Sequence, residues 1–259
     1  MKNIIDKIYI HPITYFLILS ACITGMFKEL IILALIIITH ELGHLLIILK
    51  YKYKITKIEF YPFGGIIKHE KDINTPIREE IILSTSGVFF QLVLAIIIFM
   101  LYNFDLVRYQ FLSTFMSYNI ILLIFNLLPV IPLDGHILFK SILEKYFSFK
   151  QSFVISAFIS GLILMSFIWI NIRFNLNNYI IIGFLFYKLY ESLKRFKYIR
   201  MRFYLERILK DYEWNKIKII NKIRIDKMMK EKTHYFLESD KFIPERAVLS
   251  KKFDITHNI

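Results

Sequence analysis

Six apolar blocks organise the chain, at about Ile13–Phe27, Leu30–Leu49, Ile81–Tyr102, Phe111–Leu128, Phe153–Ile172 and Tyr179–Leu193. A helix needs about 20 mostly apolar residues to cross a bilayer core. The blocks therefore predict an all-α transmembrane fold with about six spans, the first and last being the shortest. Between the second and third blocks the pattern changes period. Ile55-Thr56-Lys57-Ile58-Glu59-Phe60 alternates apolar and polar residues, Pro62 and Gly64-Gly65 interrupt it, and Ile66-Ile67-Lys68 resumes. That is a strand, a turn and a returning strand, so a small β-hairpin is expected on the cytoplasmic side. Beyond Leu193 the chain reads as a basic helix to Leu209 and then a short strand over Ile217–Ile225. The rest, Asp226–Ile259, is either a small appendage or a surface-lying segment. Two regions follow: 1–193, the transmembrane domain, and 194–259, a basic cytoplasmic C-terminal region.

Composition supports the membrane reading. Of 259 residues, 56% are hydrophobic and 17% aromatic, above the roughly 45–50% apolar content of a soluble domain. The net charge is +13, and 18 of the 34 Lys and Arg lie from Lys194 onward, against nine acidic residues. No nucleic-acid recognition module accompanies that charge, so a cytoplasmic face near anionic lipid is the better account. With six spans and both termini inside, the outward loops hold only Lys28, Arg108 and Arg173, and every inward segment is richer in Lys and Arg. The positive-inside rule then holds at each loop. The first block lacks a small-residue cleavage site and is not read as a removable leader. Cys22 is the sole cysteine, which rules out a disulfide within the chain and leaves thiolate zinc ligation without support.

Chemistry concentrates at the end of the second block, in His40-Glu41-Leu42-Gly43-His44. Residues four apart share a helix face, so both imidazoles can reach one metal, leaving places for a third ligand and a water. Glu41 is placed to take a proton from that water. A single intramembrane histidine is often a hydrogen-bonded core residue. Three ionisable groups at this spacing inside a lipid-crossing helix are expensive unless functional. The candidate third ligand is Asp134, in Asn126-Leu127-Leu128-Pro129-Val130-Ile131-Pro132-Leu133-Asp134-Gly135. Two prolines break the helix there, and irregular backbone at membrane depth must be buried or line a wet cavity. Asp is also a good helix cap, and the turn alone leaves both roles open.

The His-Glu-Leu-Gly-His helix, the Tyr61-Pro62-Phe63-Gly64-Gly65 turn and the Asn-Leu-Leu-Pro…Pro-Leu-Asp-Gly segment occur in the order seen in the site-2 protease family. The chain resembles that family over roughly Met1–Leu209, most of all its branch from spore-forming bacteria. The resemblance implies zinc bound by His40, His44 and Asp134, Glu41 activating water, and Asn126 positioning substrate or stabilising the oxyanion. It also implies a membrane-associated sigma-factor precursor as substrate, small regulatory membrane proteins as partners, and residence in the cell or forespore membrane. Departures are visible. His136 stands where relatives often have a second Gly, either near the metal or merely following the ligand. Ser86-Gly87-Val88-Phe89-Phe90-Gln91 stands where they often have Gly-Pro and Asn, so Gln91 either preserves an amide or serves helix packing. The tail is too short for the paired nucleotide-sensing modules common in that branch.

The expected activity is peptide-bond hydrolysis near the cytoplasmic face. A helical substrate hides its peptide bonds, so the hairpin edge from Ile55 to Ile67, with Gly64 and Gly65 at its turn, is the expected substrate-binding element, acting by strand addition. Two rivals stand beside this reading. A prenyl-protein processing protease would share the His-Glu-x-x-His helix but take a downstream Glu as ligand. A divalent-metal transporter would need polar residues along several helices, and the other blocks here are nearly barren of them.

Overall fold

The computed structural model describes residues 8–10, 12–61, 64–170, 176–238 and 241–253. Among the described residues, helix forms along most of each apolar block. In chain order the elements are β1 (Ile8–Ile10), α1 (Pro12–Ile23), α2 (Phe27–Lys50), β2 (Lys54–Tyr61), β3 (Gly64–Glu70), α3 (Ile77–Asn103), α4 (Tyr109–Leu127), α5 (Asp134–Glu144), α6 (Phe149–Ile170) and α7 (Leu176–Leu209). The C-terminal part adds β4 (Ile217–Asn221), a 3₁₀ turn (Ile225–Lys227), β5 (Thr233–Glu238), β6 (Lys241–Pro244) and α8 (Glu245–Lys252).

Among the described residues, four helical stretches are long and apolar enough to cross a membrane: Phe27–Lys50, Ile77–Asn103, Tyr109–Leu127 and Phe149–Trp169. The first and last expected blocks behave differently. Helix α1 has 12 residues, about 18 Å of rise against a core of about 30 Å. The last block is absorbed into the 34-residue α7, whose second half is strongly basic. The spanning helices turn apolar side chains outward. On α2, Ile31, Leu35, Ile38, Leu42, Leu46 and Leu49 are exposed, while Ile32, Ile36, His40, His44 and Ile48 are buried on the other side. A helix greasier outside than inside belongs in lipid.

The chain divides into two compact units: residues up to Lys71 with Ile82–Leu127, and Asp72–Ile81 with the chain from Leu128 onward. In the first, Ile32, Ile36, Ile98, Leu112 and Phe115 pack α2 against α3 and α4. Ile48, Ile55, Ile58 and Leu83 pack the sheet onto α2 and α3. That sheet has the order β1-β2-β3. β2 and β3 pair antiparallel, with Ile58 opposite Ile67, and β1 pairs parallel to β2, with Ile8 opposite Ile58. The strand–turn–strand reading therefore gains a third member. Because β1 covers Ile58–Phe60 of β2, the edge without a paired strand among the described residues is that of β3, Gly64–Glu70. A three-residue strand is too short to show an alternation.

In the second unit, Phe149, Phe203, Tyr204, Ile208, Ile220, Met228, Phe236 and Leu249 form the core around the end of α7. The C-terminal sheet, β4-β5-β6, pairs β4 parallel to β5 and β5 antiparallel to β6. Buried Arg207 ties it to α7. Its guanidinium donates to Glu245 Oε1 and Oε2 at 3.0 Å each, to Asn74 Oδ1 at 2.8 Å and to the Met229 carbonyl at 2.7 Å. A buried guanidinium is tolerated when its donors are satisfied in this way. The part of the tail that the sequence left undecided is thus a small α/β structure packed on α7.

Candidate metal centre

His40 and His44 stand one turn apart on the inward face of α2, both buried. Their outer ring nitrogens are held by groups that accept. His40 Nδ1 donates to Gln91 Oε1 at 2.9 Å, and His44 Nδ1 to the Leu83 carbonyl at 2.9 Å. The Ser86 hydroxyl, which donates to that same carbonyl, lies 3.2 Å from His44 Nδ1. With both protons on Nδ1, both Nε2 atoms turn lone pairs toward one point, 3.1 Å apart. Two lone pairs so close repel unless a cation lies between them. Nitrogens bound to one tetrahedral zinc at ~2.0–2.1 Å stand about 3.3 Å apart, so the pair fits that ion. Outer-partner hydrogen bonds of this kind orient metal-binding imidazoles.

Glu41, also buried, extends from the same turn and accepts a hydrogen bond from the Gly65 backbone N–H to Oε1 at 2.8 Å. The head of β3 therefore holds the carboxylate. A Cβ on Gly65 would sit 2.6 Å from Glu41 Cδ, so any side chain there would displace the carboxylate. Gly87 of α3 is similarly constrained. A Cβ there would lie 2.5 Å from His40 Nε2 and from His44 Nε2. Gln91 is fully buried and its amide also donates to Asn119 Oδ1 at 3.4 Å. Of the two readings left open for Gln91, the amide that orients a histidine is the observed one.

The sequence profile of peptidase family M50 matches residues 28–107, which contain His40, Glu41, His44, Gly65, Gly87 and Gln91. Stage IV sporulation protein FB of Bacillus subtilis is 29% identical over 208 residues, covering 79% of this chain and 72% of that protein. A zinc metalloprotease of Methanocaldococcus jannaschii is 31% identical over 130 residues, 49% of this chain and 38% of that relative. The solved site-2 protease from M. jannaschii superposes with a TM-score of 0.57 at 26% identity, covering 71% of this chain and 89% of that one. Residues 28–107 thus match peptidase family M50, and across most of its length the chain is similar to site-2 proteases. It is a zinc metallopeptidase of the membrane, and the histidine pair and glutamate on α2 have the chemistry that activity needs.

Asp134 opens α5 in the second unit, half-buried in the first helical position, with Leu133 standing at the N-cap. The proline-broken segment before it is held by α6. Ser160 Oγ donates to the Pro129 carbonyl at 3.0 Å and accepts from the Ile131 N–H at 3.3 Å. His136 Nε2 donates to Ser156 Oγ at 3.2 Å. Burial, helped by the Lys140 charge, pushes the His136 pKa down to about 3, so this ring is neutral and engaged with α6. Ser148, Ser152, Ser156 and Ser160 form a fully buried row at four-residue spacing. Sequence reasoning passed over that row, although serine at every fourth position of an apolar helix was visible. Asn126 lies near the end of α4, half-buried, and its amide makes no hydrogen bond among the described residues. Gly64, at φ +152°, heads β3 beside Gly65.

Proposed function

We propose that this enzyme removes the pro-segment of a membrane-associated sporulation sigma-factor precursor near the cytoplasmic face. What supports it most is the similarity to stage IV sporulation protein FB across most of both chains. In this reading His40, His44 and Asp134 hold the zinc. Two imidazoles and a carboxylate are a donor set that suits zinc. Bound zinc supplies a Lewis acid that polarises the scissile carbonyl and lowers the pKa of water. The chain does the rest. Glu41, oriented by the Gly65 N–H, takes the proton from the attacking water and delivers it to the leaving amine nitrogen. The edge of β3, headed by Gly64 and Gly65, receives the substrate as an added strand, and Asn126 contacts the reacting peptide. In this reading small regulatory membrane proteins restrain the enzyme.

Co-expression with a candidate precursor tests the substrate assignment. A shortened product is expected with the wild-type chain and is absent with Glu41→Gln. An intact precursor beside an enzyme that still cleaves a generic peptide removes the sigma-factor reading.

For topology we place residues 1–193 in the membrane with six crossings and both termini, with 194–259, in the cytoplasm of the cell or forespore membrane. The charge asymmetry of the loops supports it. Single cysteines replacing Lys71 and Lys150, in a Cys22→Ser background, are expected to react with an impermeant reagent only from the cytoplasmic side. One replacing Asp105 is expected to react only from the opposite side. An exchange between the two groups means a miscounted span.

A further inference from the structure

Helix α5 is anchored at its far end by a charge cluster that peptide hydrolysis does not itself require. Glu144, its last residue, is fully buried, with Lys140 Nζ 2.9 Å from Oε1 and Lys230 Nζ 3.3 Å from Oε2. Lys230 Nζ also lies 2.9 Å from Glu80 Oε1, and Ser141 Oγ donates to Glu80 Oε2 at 3.1 Å. The Lys230 side chain is 1% exposed, and those of Glu80 and Glu144 are 7% and 0%. Burial alone would favour the neutral amine. Glu144 and Glu80 outweigh it and hold the Lys230 pKa above its ordinary value, so the residue is a cation. The backbone around it is fixed too, since Met228 and Met229 are buried and the Phe149 N–H donates to the Met228 carbonyl at 3.0 Å.

A buried cation between two carboxylates is a poor source of stability compared with apolar packing, but it tolerates only one register. Here that register belongs to a rod of 11 residues, about 15 Å, whose first residue is Asp134. We propose that Lys230 is a positioning residue for the metal centre: the C-terminal region, through this ammonium, sets where α5 presents Asp134. The proposal rests on Asp134 being a zinc ligand. It makes the region after Leu209 part of the catalytic apparatus, beyond any part it plays in capturing substrate or lipid.

The test uses the full chain in detergent, measuring zinc affinity by chelator competition and the ligand-field absorption of the cobalt-substituted protein. Lys230→Met is expected to weaken zinc binding by roughly 10–100-fold, as loss of an outer support does, and to shift the cobalt bands. That variant leaves two carboxylates facing each other and can fail to fold. The triple variant Glu80→Gln/Glu144→Gln/Lys230→Met removes all three charges at similar volume, and the same weakening and band shift are expected of it. Wild-type affinity and wild-type bands in the triple variant overturn the proposal. Asp134→Ala alongside separates the two readings. Zinc retained in Asp134→Ala sinks the ligand assignment itself. Zinc lost there but held normally by the triple variant leaves the ligand standing and removes only the role of Lys230.

Discussion

Glu41→Gln is expected to abolish peptide hydrolysis while zinc stays bound. Glutamine keeps the size of the side chain and an oxygen that accepts the Gly65 N–H, so the local geometry survives. It cannot accept a proton from water, and losing a general base costs roughly 10²–10⁴-fold or more in rate. The histidines are oriented by Gln91 and the Leu83 carbonyl, neither of which the substitution touches, so metal content should not change. Steady-state cleavage of a model peptide and metal analysis of the same preparation decide the matter. A Glu41→Gln enzyme cleaving within a few-fold of wild type would end the proposed mechanism. One that loses its zinc would mean that Glu41 holds the metal rather than the proton.

Asp134→Ala is expected to lose both zinc and activity. In the proposed assignment Asp134 is one of three ligands, and its removal should weaken binding beyond the roughly 10–100-fold that follows loss of an outer partner. The alternative is that Asp134 only favours the start of α5. In that case metal content is unchanged and stability falls by about 0.5–2 kcal/mol, as for a lost helix cap. Its place inside the first turn, with Leu133 at the N-cap, weakens the capping account. Metal analysis and thermal unfolding of the purified variant separate the two, and full zinc occupancy would remove Asp134 from the site.

The chemistry on α2 was legible from sequence because it is local. His40, Glu41 and His44 fall within about one helical turn, where spacing alone dictates a shared side, and their burial in an apolar block is unfavourable without a function. The spans were legible for the same kind of reason, since lipid requires a long apolar run, although α1 and the last block show that run length separates marginal cases poorly. The alternation around Ile58 announced β2 and β3, but not β1, whose three residues carry no period.

What only the tertiary structure decided lies far apart in the chain. Gln91 meets His40 across 51 positions, and Gly87 is a glycine because two imidazoles from another helix occupy the space a side chain would need. Ser156 and Ser160 look like incidental polar residues in an apolar helix until Pro129, Ile131 and His136 are seen against them. Lys230 reads as one more lysine in a basic tail until Glu80 and Glu144 close around it. Periodicity constrains what one element does along its own axis. Which faces meet depends on how distant elements bury their polar groups together, and no spacing along the sequence carries that information.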